Sequence, residues 1–212
     1  LLRIKASNIK FRNIYLRGVI DKTTLIELSK INKNDNNEYD NILFNNFMNG
    51  KLMYSKYAIT MEGSCYYNSF DNITFVNCGR ILWLKPTKIA LDTGAKESNV
   101  NRNYFTNFTA NTGNKQGIYL EYGDTNKFIN ISFEGLSDWC IYIKDYTKEH
   151  NDWFYTEANS FTNVTFEGCN KEIHNEVSDT QFNNINYSVK SCEFEKTRSE
   201  ERRVGKECRS RW

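Results

Sequence analysis

Two carboxylates occupy matching local settings, in Asn130-Ile-Ser-Phe133-Glu134-Gly135 and Asn163-Val-Thr-Phe166-Glu167-Gly168. If these segments lie side by side as parallel strands, their backbones are about 4.8 Å apart. Carboxyl groups about 5 to 5.5 Å apart suit a retaining glycosidase, with one acid kept protonated by its neighbour's charge. Glu134 and Glu167 are therefore the expected catalytic pair, against the plainer alternative of two solvated side chains. A second constellation consists of aromatic residues set between aliphatic ones: Leu82-Trp83-Leu84, Ile118-Tyr119-Leu120 and Ile141-Tyr142-Ile143, with weaker versions at Leu52-Met53-Tyr54 and Ile173-His174. In a strand the middle residue points away from its neighbours. Trp83, Tyr119, Tyr142 and His174 are then expected in one exterior column, flanked by Glu121 and Lys144, as a surface for sugar rings. Packing under a loop or against another subunit is the competing use. Loop residues Asp92, Glu97, Asp145, His150, Asp152, Trp153 and Glu157 are candidates to line a groove beside it, Trp153 as a further substrate contact.

Other motifs carry less. Ala90-Leu-Asp92-Thr-Gly94-Ala95 matches the aspartic protease loop, but Asp-x-Gly is also ordinary turn chemistry, and no second protease element accompanies it. Asn72, Asn107, Asn130, Asn163 and Asn186 begin glycosylation sequons, which a repeated Asn, apolar, Ser/Thr string generates by itself. Of the 6 Cys, Cys78 and Cys169 hold the same repeat position three repeats apart, roughly 14 Å, beyond disulfide reach. Buried free thiols are expected, compatible with folding in a reducing cytoplasm. No Cys/His cluster has zinc spacing, and no metal or cofactor is expected.

These residues are positioned by a repeat. F-x-N-[IVF] occurs at Phe11, Phe44, Phe70, Phe105, Phe128, Phe161 and Phe182, often with Asn two residues earlier (Asn68, Asn103, Asn126, Asn159) and Phe at the sixth position (Phe75, Phe133, Phe166). Gly18, Gly50, Gly79, Gly113, Gly135 and Gly168 follow soon after. The third and fifth positions after the anchor Phe alternate as a strand does, and the Asn between reads as a bend, since Asn tolerates a left-handed conformation. Short strands joined by such bends bury nothing alone, whereas stacked repeats bury a continuous column with Asn ladders.

From about Ser7 to Lys190 the chain resembles the right-handed parallel β-helix of the pectate-lyase-like superfamily. The expected fold is all-β, a single-stranded parallel β-helix of about seven coils, cut at both ends, with insertions near 21–40, 85–102 and 144–158. The N-T-D, D-D and G-H-G motifs of the polygalacturonases are absent, as is a stacked Asp cluster with an Arg base. What the resemblance implies is a scaffold and a ligand class. The chain is similar to bacteriophage tailspikes and appendages, which implies a homotrimer at a virion tail or in the extracellular space that binds, and in some cases cleaves, a bacterial polysaccharide. A secreted polysaccharide lyase or hydrolase, and a non-enzymatic adhesin or stalk, are the alternatives.

Composition agrees with this frame. The chain has 29 Asn, 14 Phe and 13 Tyr against 1 Pro, a bias toward turns and strands and away from helices. Its net charge of +2 gives no footprint for nucleic acid, and no apolar run approaches the roughly 20 residues of a membrane span. Arg198 to Trp212 resembles the in-frame translation of a short-read sequencing adapter, and is expected to lie outside the fold; a basic tail is the alternative. Without it the chain has 22 basic and 23 acidic residues, so the basic balance belongs to the tail.

Overall fold

The computed structural model describes residues 1–29, 42–43, 45–93, 100–145, 156–187 and 192–194. Trp153 lies outside the described residues, as do Glu97, His150, Asp152 and the string from Arg198 onward. The described residues are all-β apart from the short helix Lys88–Thr93, and among them thirteen strands join in one sheet whose pairings are parallel.

Strands fall in three rows, each repeat contributing to a row beside its predecessor. The first row runs from Lys10–Arg17 through the front halves of Asn46–Glu62 and Ser69–Lys85 to Tyr104–Ala110, Lys127–Glu134, Ser160–Glu167 and Gln181–Asn186. The second runs from Leu2–Ile4 and Thr24–Ser29 through the back halves of the two long strands to Gln116–Leu120, Trp139–Ile143, Lys171–Asn175 and Cys192–Phe194. The third is short: Ile42–Leu43 beside Cys65–Tyr66, a bridge from Tyr66 to Asn101, and Gly123–Asp124 beside Thr156–Glu157.

The anchor phenylalanines organise the interior. Phe11, Phe47, Phe70, Phe105, Phe128, Phe161 and Phe182 form an unbroken stack with successive centroids 4.8, 4.3, 5.5, 4.9, 4.4 and 5.2 Å apart. In-register parallel strands bring identical side chains to this separation, so every ring gains an apolar and a stacking contact from each neighbour. The second copy of the motif is corrected by three residues, since Phe47 and not Phe44 pairs with Phe11 and Phe70. Gly50 fills the aliphatic position of that repeat, and a Cβ there would approach the Ile73 Cδ1 to 2.7 Å. Gly50 is thus a strand residue and no turn. In the same register Leu52-Met53-Tyr54 belongs to the first row, and Thr60 is the residue of that repeat in register with Trp83.

Asparagine builds two ladders. The expected one is exposed: Asn13, Asn49, Asn72, Asn107, Asn130, Asn163 and Asn184 all have φ between 52° and 57°. Nδ2 of Asn72, Asn130, Asn163 and Asn184 donates to the Oδ1 of the preceding repeat's Asn at 2.9, 3.0, 3.0 and 2.6 Å. The ladder breaks once, where Asn107 donates to Asp71 instead. The second ladder is buried and runs with opposite polarity. Oδ1 of Asn68, Asn103, Asn126 and Asn159 accepts the backbone N–H of the preceding repeat's Asn (Asn45, Asn68, Asn103, Asn126) at 2.8 to 3.1 Å. Nδ2 of Asn103, Asn126 and Asn159 also donates to third-row carbonyls at Cys65, Val100 and Gly123, each at 2.9 Å. These amides satisfy the backbone polar groups that a sharp interior corner takes out of ladder register.

The corner between first and second rows is left-handed too. Gly135 and Gly168 hold it at φ 63° and 61°, where Tyr54 and Asn77 hold it in the long strands at 55° and 52°. Beyond the corner the chain turns Leu82, Ile118, Ile141 and Ile173 inward, with Leu84, Leu120 and Ile143 two residues later. Trp83, Tyr119, Tyr142 and His174, one from each repeat, stand between them on the opposite side.

Candidate functional site

Register places Trp83, Tyr119, Tyr142 and His174 side by side in one column, with Thr60 and Glu27 continuing it. The spacing of parallel strands turns the rings toward one another. Tyr119 and Tyr142 stack at 5.0 Å and 16°, and Tyr142 and His174 at 4.7 Å and 12°. Tyr119 is only 5% exposed, because the Arg80 guanidinium lies 4.0 Å above its ring while Tyr142 covers the other side. Trp83 has Arg80 at 4.4 Å and Lys85 at 4.5 Å from its ring. The column therefore offers ring edges and cationic groups to the exterior, and its faces are largely engaged.

Polar partners lock this arrangement. Trp83 Nε1 donates to Glu121 at 2.7 Å, which gives Glu121 a definite place beside the column. Glu176 lies two repeats further along and holds the other end. It accepts from Tyr142 Oη at 3.4 Å and from the Asp145 N–H at 3.1 Å, and lies 2.9 Å from His174 Nε2. Burial raises the Tyr119 phenol well above its ordinary range; the Asp138 charge adds to this and Arg80 opposes it.

Three residues before each column member a second set lines up: Tyr57, Arg80, Gln116, Trp139 and Lys171. Together with Lys56, Lys115, Asp21 and Asp138 most of these line an open groove of about 590 Å³. Arg80 Nε donates to Gln116 Oε1 at 2.9 Å, and Gln116 Nε2 passes the chain on to Asp138 at 2.8 Å. Burial by itself pushes the Asp138 carboxyl up, but hydrogen bonds from Gln116 and the Trp139 N–H, with Lys171 alongside, outweigh it and hold it below its usual range. Four cations, Lys56, Arg80, Lys115 and Lys171, thus face two carboxylates, Asp21 and Asp138. Tyr57 lies beneath the Lys56 ammonium and Trp139 beneath that of Lys171.

Glu134 and Glu167 are register partners, as expected, and both are exposed on the rim of the first row. Thr112 Oγ1 donates to Glu134 at 3.2 Å. A different carboxylate pair has both members raised above the ordinary carboxylate range. Asp124 and Glu157 are register partners in the third row, with Asp179 next to them, held by the Ala158 N–H at 3.1 Å. Asp124 is raised by burial, against hydrogen bonding from Asn101 and the charge of Arg102. Glu157 is raised by partial burial and by the charges of Asp179 and Asp124. Glu157 was among the expected groove residues; Asp124 and Asp179 stand in sequence settings unlike each other and were not singled out.

Cys65, Cys78, Cys140 and Cys169 are free thiols, all buried. Cys78 and Cys169 do share a repeat position, each thiol pointing at the carbonyl two residues back and at one in the preceding repeat. Asp92 lies on the helix Lys88–Thr93, paired with Lys88, which is not the geometry of a protease loop. Among the described residues no group of three His, Cys, Asp or Glu side chains is arranged to hold a metal ion, and no helix is long and apolar enough to cross a membrane.

Compared with known proteins, the chain matches no family model, no curated protein and no solved structure.

Proposed function

We propose that this chain is a right-handed parallel β-helix of the tailspike kind, and that the groove beside its aromatic column binds an acidic polysaccharide. Support for the fold comes from successive repeats pairing in register along three rows, with the Phe stack running through all of them and the two Asn ladders through most. Support for the ligand rests on one observation: Arg80 is held by Gln116 and by two aromatic rings in a groove where cations outnumber carboxylates by four to two. A pre-oriented guanidinium recognises a sugar carboxylate or sulfate with little ordering cost, and lysine ammoniums add charge without fixed geometry. In this reading the chain works as a homotrimer at a virion tail or elsewhere outside the cell.

The test is binding to a panel of acidic and neutral bacterial glycans at two salt concentrations. The reading expects salt-sensitive binding of acidic glycans, weakened about tenfold or more by Arg80→Ala and less by Lys115→Ala, in keeping with the loss of a charge-assisted hydrogen bond. Binding that is indifferent to Arg80 rules the groove out, and no glycan binding at all favours the structural stalk.

Cleavage is a second reading, favoured by the raised carboxyls at Asp124 and Glu157. Parallel neighbours about 4.8 Å apart at the backbone suit a retaining mechanism, with the partner that keeps its proton as the acid. Asp124→Asn and Glu157→Gln then abolish turnover of a bound glycan while Glu134→Gln and Glu167→Gln preserve it. The reverse result returns the chemistry to Glu134 and Glu167.

A further inference from the structure

The corner between the third and first rows carries side chains that its backbone does not call for. One left-handed residue turns it in each of four repeats, Tyr67, Arg102, Thr125 and Ala158 at φ 54°, 52°, 51° and 50°, and all four are exposed. The exposed ladder makes the same kind of bend with Asn, which takes this conformation at least cost, whereas a bulky or β-branched residue resists it. Tyr67 and Arg102 are joined: Arg102 Nη1 donates to Tyr67 Oη at 2.6 Å, with its guanidinium 5.8 Å from the ring centre. Beside them Tyr104 pairs in register with Ser69 on one side and Lys127 on the other, and the Lys127 ammonium lies 5.5 Å from its ring centre. A serine is too short to cover the ring, and Tyr104 stays 43% exposed; Tyr67 is 40% exposed, against 5% for Tyr119 in the aromatic column. Among the described residues Arg102 and Lys127 make no ion pair, whereas Lys115 and Lys171 in the groove face Asp21 and Asp138.

We propose that Tyr67, Arg102, Tyr104 and Lys127 form a second glycan-binding site, separate from the Arg80 groove, that takes a sugar bearing a carboxylate or sulfate. The class of ligand rests on the glycan-binding reading of the groove; the place does not. A tyrosine ring with an uncovered side stacks on the apolar side of a sugar ring while its hydroxyl keeps its polar partners. The two cations beside these rings have neutral partners, a phenol and an aromatic face, so an arriving anion displaces no carboxylate from them. The Arg102 fork uses one N–H on Tyr67 and has others for a two-point contact with a carboxylate or sulfate. Position in the repeat also gives the site a direction. Asp124 and Glu157 immediately precede the bend residues Thr125 and Ala158, one and two repeats beyond Arg102, about 5 and 10 Å along the stack. A glycan held at Arg102 and running along the corner therefore passes the two carboxyls on which cleavage would depend.

The test follows the isotope-labelled chain by NMR as three tetrasaccharides are added in turn: one of N-acetylglucosamine, the same sugar sulfated, and one alternating it with glucuronate. At least one acidic probe is expected to shift the backbone amides of Tyr67, Arg102, Tyr104 and Lys127 and the Arg102 side-chain N–H, in the parent and in Arg80→Ala alike. The neutral probe binds about tenfold more weakly or worse. Arg102→Asn keeps an easy left-handed bend and weakens the acidic probe by about tenfold; Tyr104→Ser repeats the Ser69 and Ser160 of its column and weakens acidic and neutral probes together, by less. Resonances away from the corner that keep their parent positions show that each variant is folded. The proposal is overturned if the corner amides stay unmoved while the groove responds, if their shifts vanish in Arg80→Ala, or if the neutral probe binds as well as the acidic ones. Shifts confined to the corner uphold it and overturn the groove instead, and silence at both sites with all the probes overturns both.

Discussion

The buried amide ladder makes a demand that the exposed one does not, and Asn126 is the place to test it. Its Oδ1 accepts from the Asn103 backbone N–H at 3.1 Å and from Asn103 Nδ2 at 3.0 Å, and its Nδ2 donates to the Val100 carbonyl at 2.9 Å. Asn126→Ala strands the Asn103 N–H and the Val100 carbonyl where water does not reach; the Asn103 amide keeps its bond to Cys65, and Asn159 Oδ1 keeps the Asn126 N–H. Two buried orphans at about 1–3 kcal/mol each place the cost at roughly 2–6 kcal/mol. Asn130 makes the same kind of amide contacts, to Asn107 and from Asn163, but in solvent. There Asn130→Ala pays chiefly for φ 57° without an amide, about 1 kcal/mol, and Asn130→Gly costs less still. Urea unfolding followed by fluorescence, with hydrogen exchange to detect repeats that open separately, measures the order. If Asn126→Ala falls within about 1 kcal/mol of the parent, or Asn130→Ala costs as much, the buried amides are not what satisfies the corner.

Three further outcomes follow from packing and charge. A Cβ on Gly117 would stand 2.0 Å from the Cys140 carbonyl oxygen, a backbone atom that cannot yield, so Gly117→Ala is expected to cost upward of about 3 kcal/mol or to prevent soluble expression; a stable variant shows that the rows can slide. Gly50→Ala meets only the end of the Ile73 side chain, so its cost of roughly 1–3 kcal/mol should shrink when combined with Ile73→Val, a coupling that a double-mutant cycle of urea midpoints reads directly. The raised Asp124 and Glu157 carboxyls bind protons more tightly folded than unfolded, so their contribution is favourable below the ordinary carboxylate range and is lost as pH rises through their raised folded values. Asp124→Asn and Glu157→Gln should therefore stabilise the chain at pH 7 to 8 and lose that advantage near pH 4; an advantage that persists unchanged in acid contradicts the assigned shifts.

Much of the scaffold was legible because a stacked repeat writes its tertiary contacts into local sequence. Residues that touch across strands occupy the same position of successive repeats, so Phe70, Phe105, Phe128, Phe161 and Phe182 announce their stack, and Asn107, Asn130 and Asn163 their ladder, before any coordinates. Trp83, Tyr119, Tyr142 and His174 were readable as a column for the same reason. The groove beside it carried a signal that went unused: Tyr57, Arg80, Gln116, Trp139 and Lys171 each precede a column position by three residues. Their chemical types differ, so similarity alone does not align them.

What the amino-acid order by itself determined is the repeat: strand, left-handed Asn, strand, and the apolar residues that stack from one copy to the next. Tertiary structure decided the rest, because it turns on volumes and directions that a local string does not encode. Phe44-Asn45-Asn46-Phe47 satisfies the motif as written, and only the strand pairing shows that Phe47 is the anchor, with Ile73 filling the space beside Gly50. An Asn two residues before an anchor looks like its exposed sibling until the corner closes over it. Aromatic rings that promised open faces present edges, because strands spaced to hydrogen-bond are also spaced for rings to stack, and the faces go to one another and to Arg80.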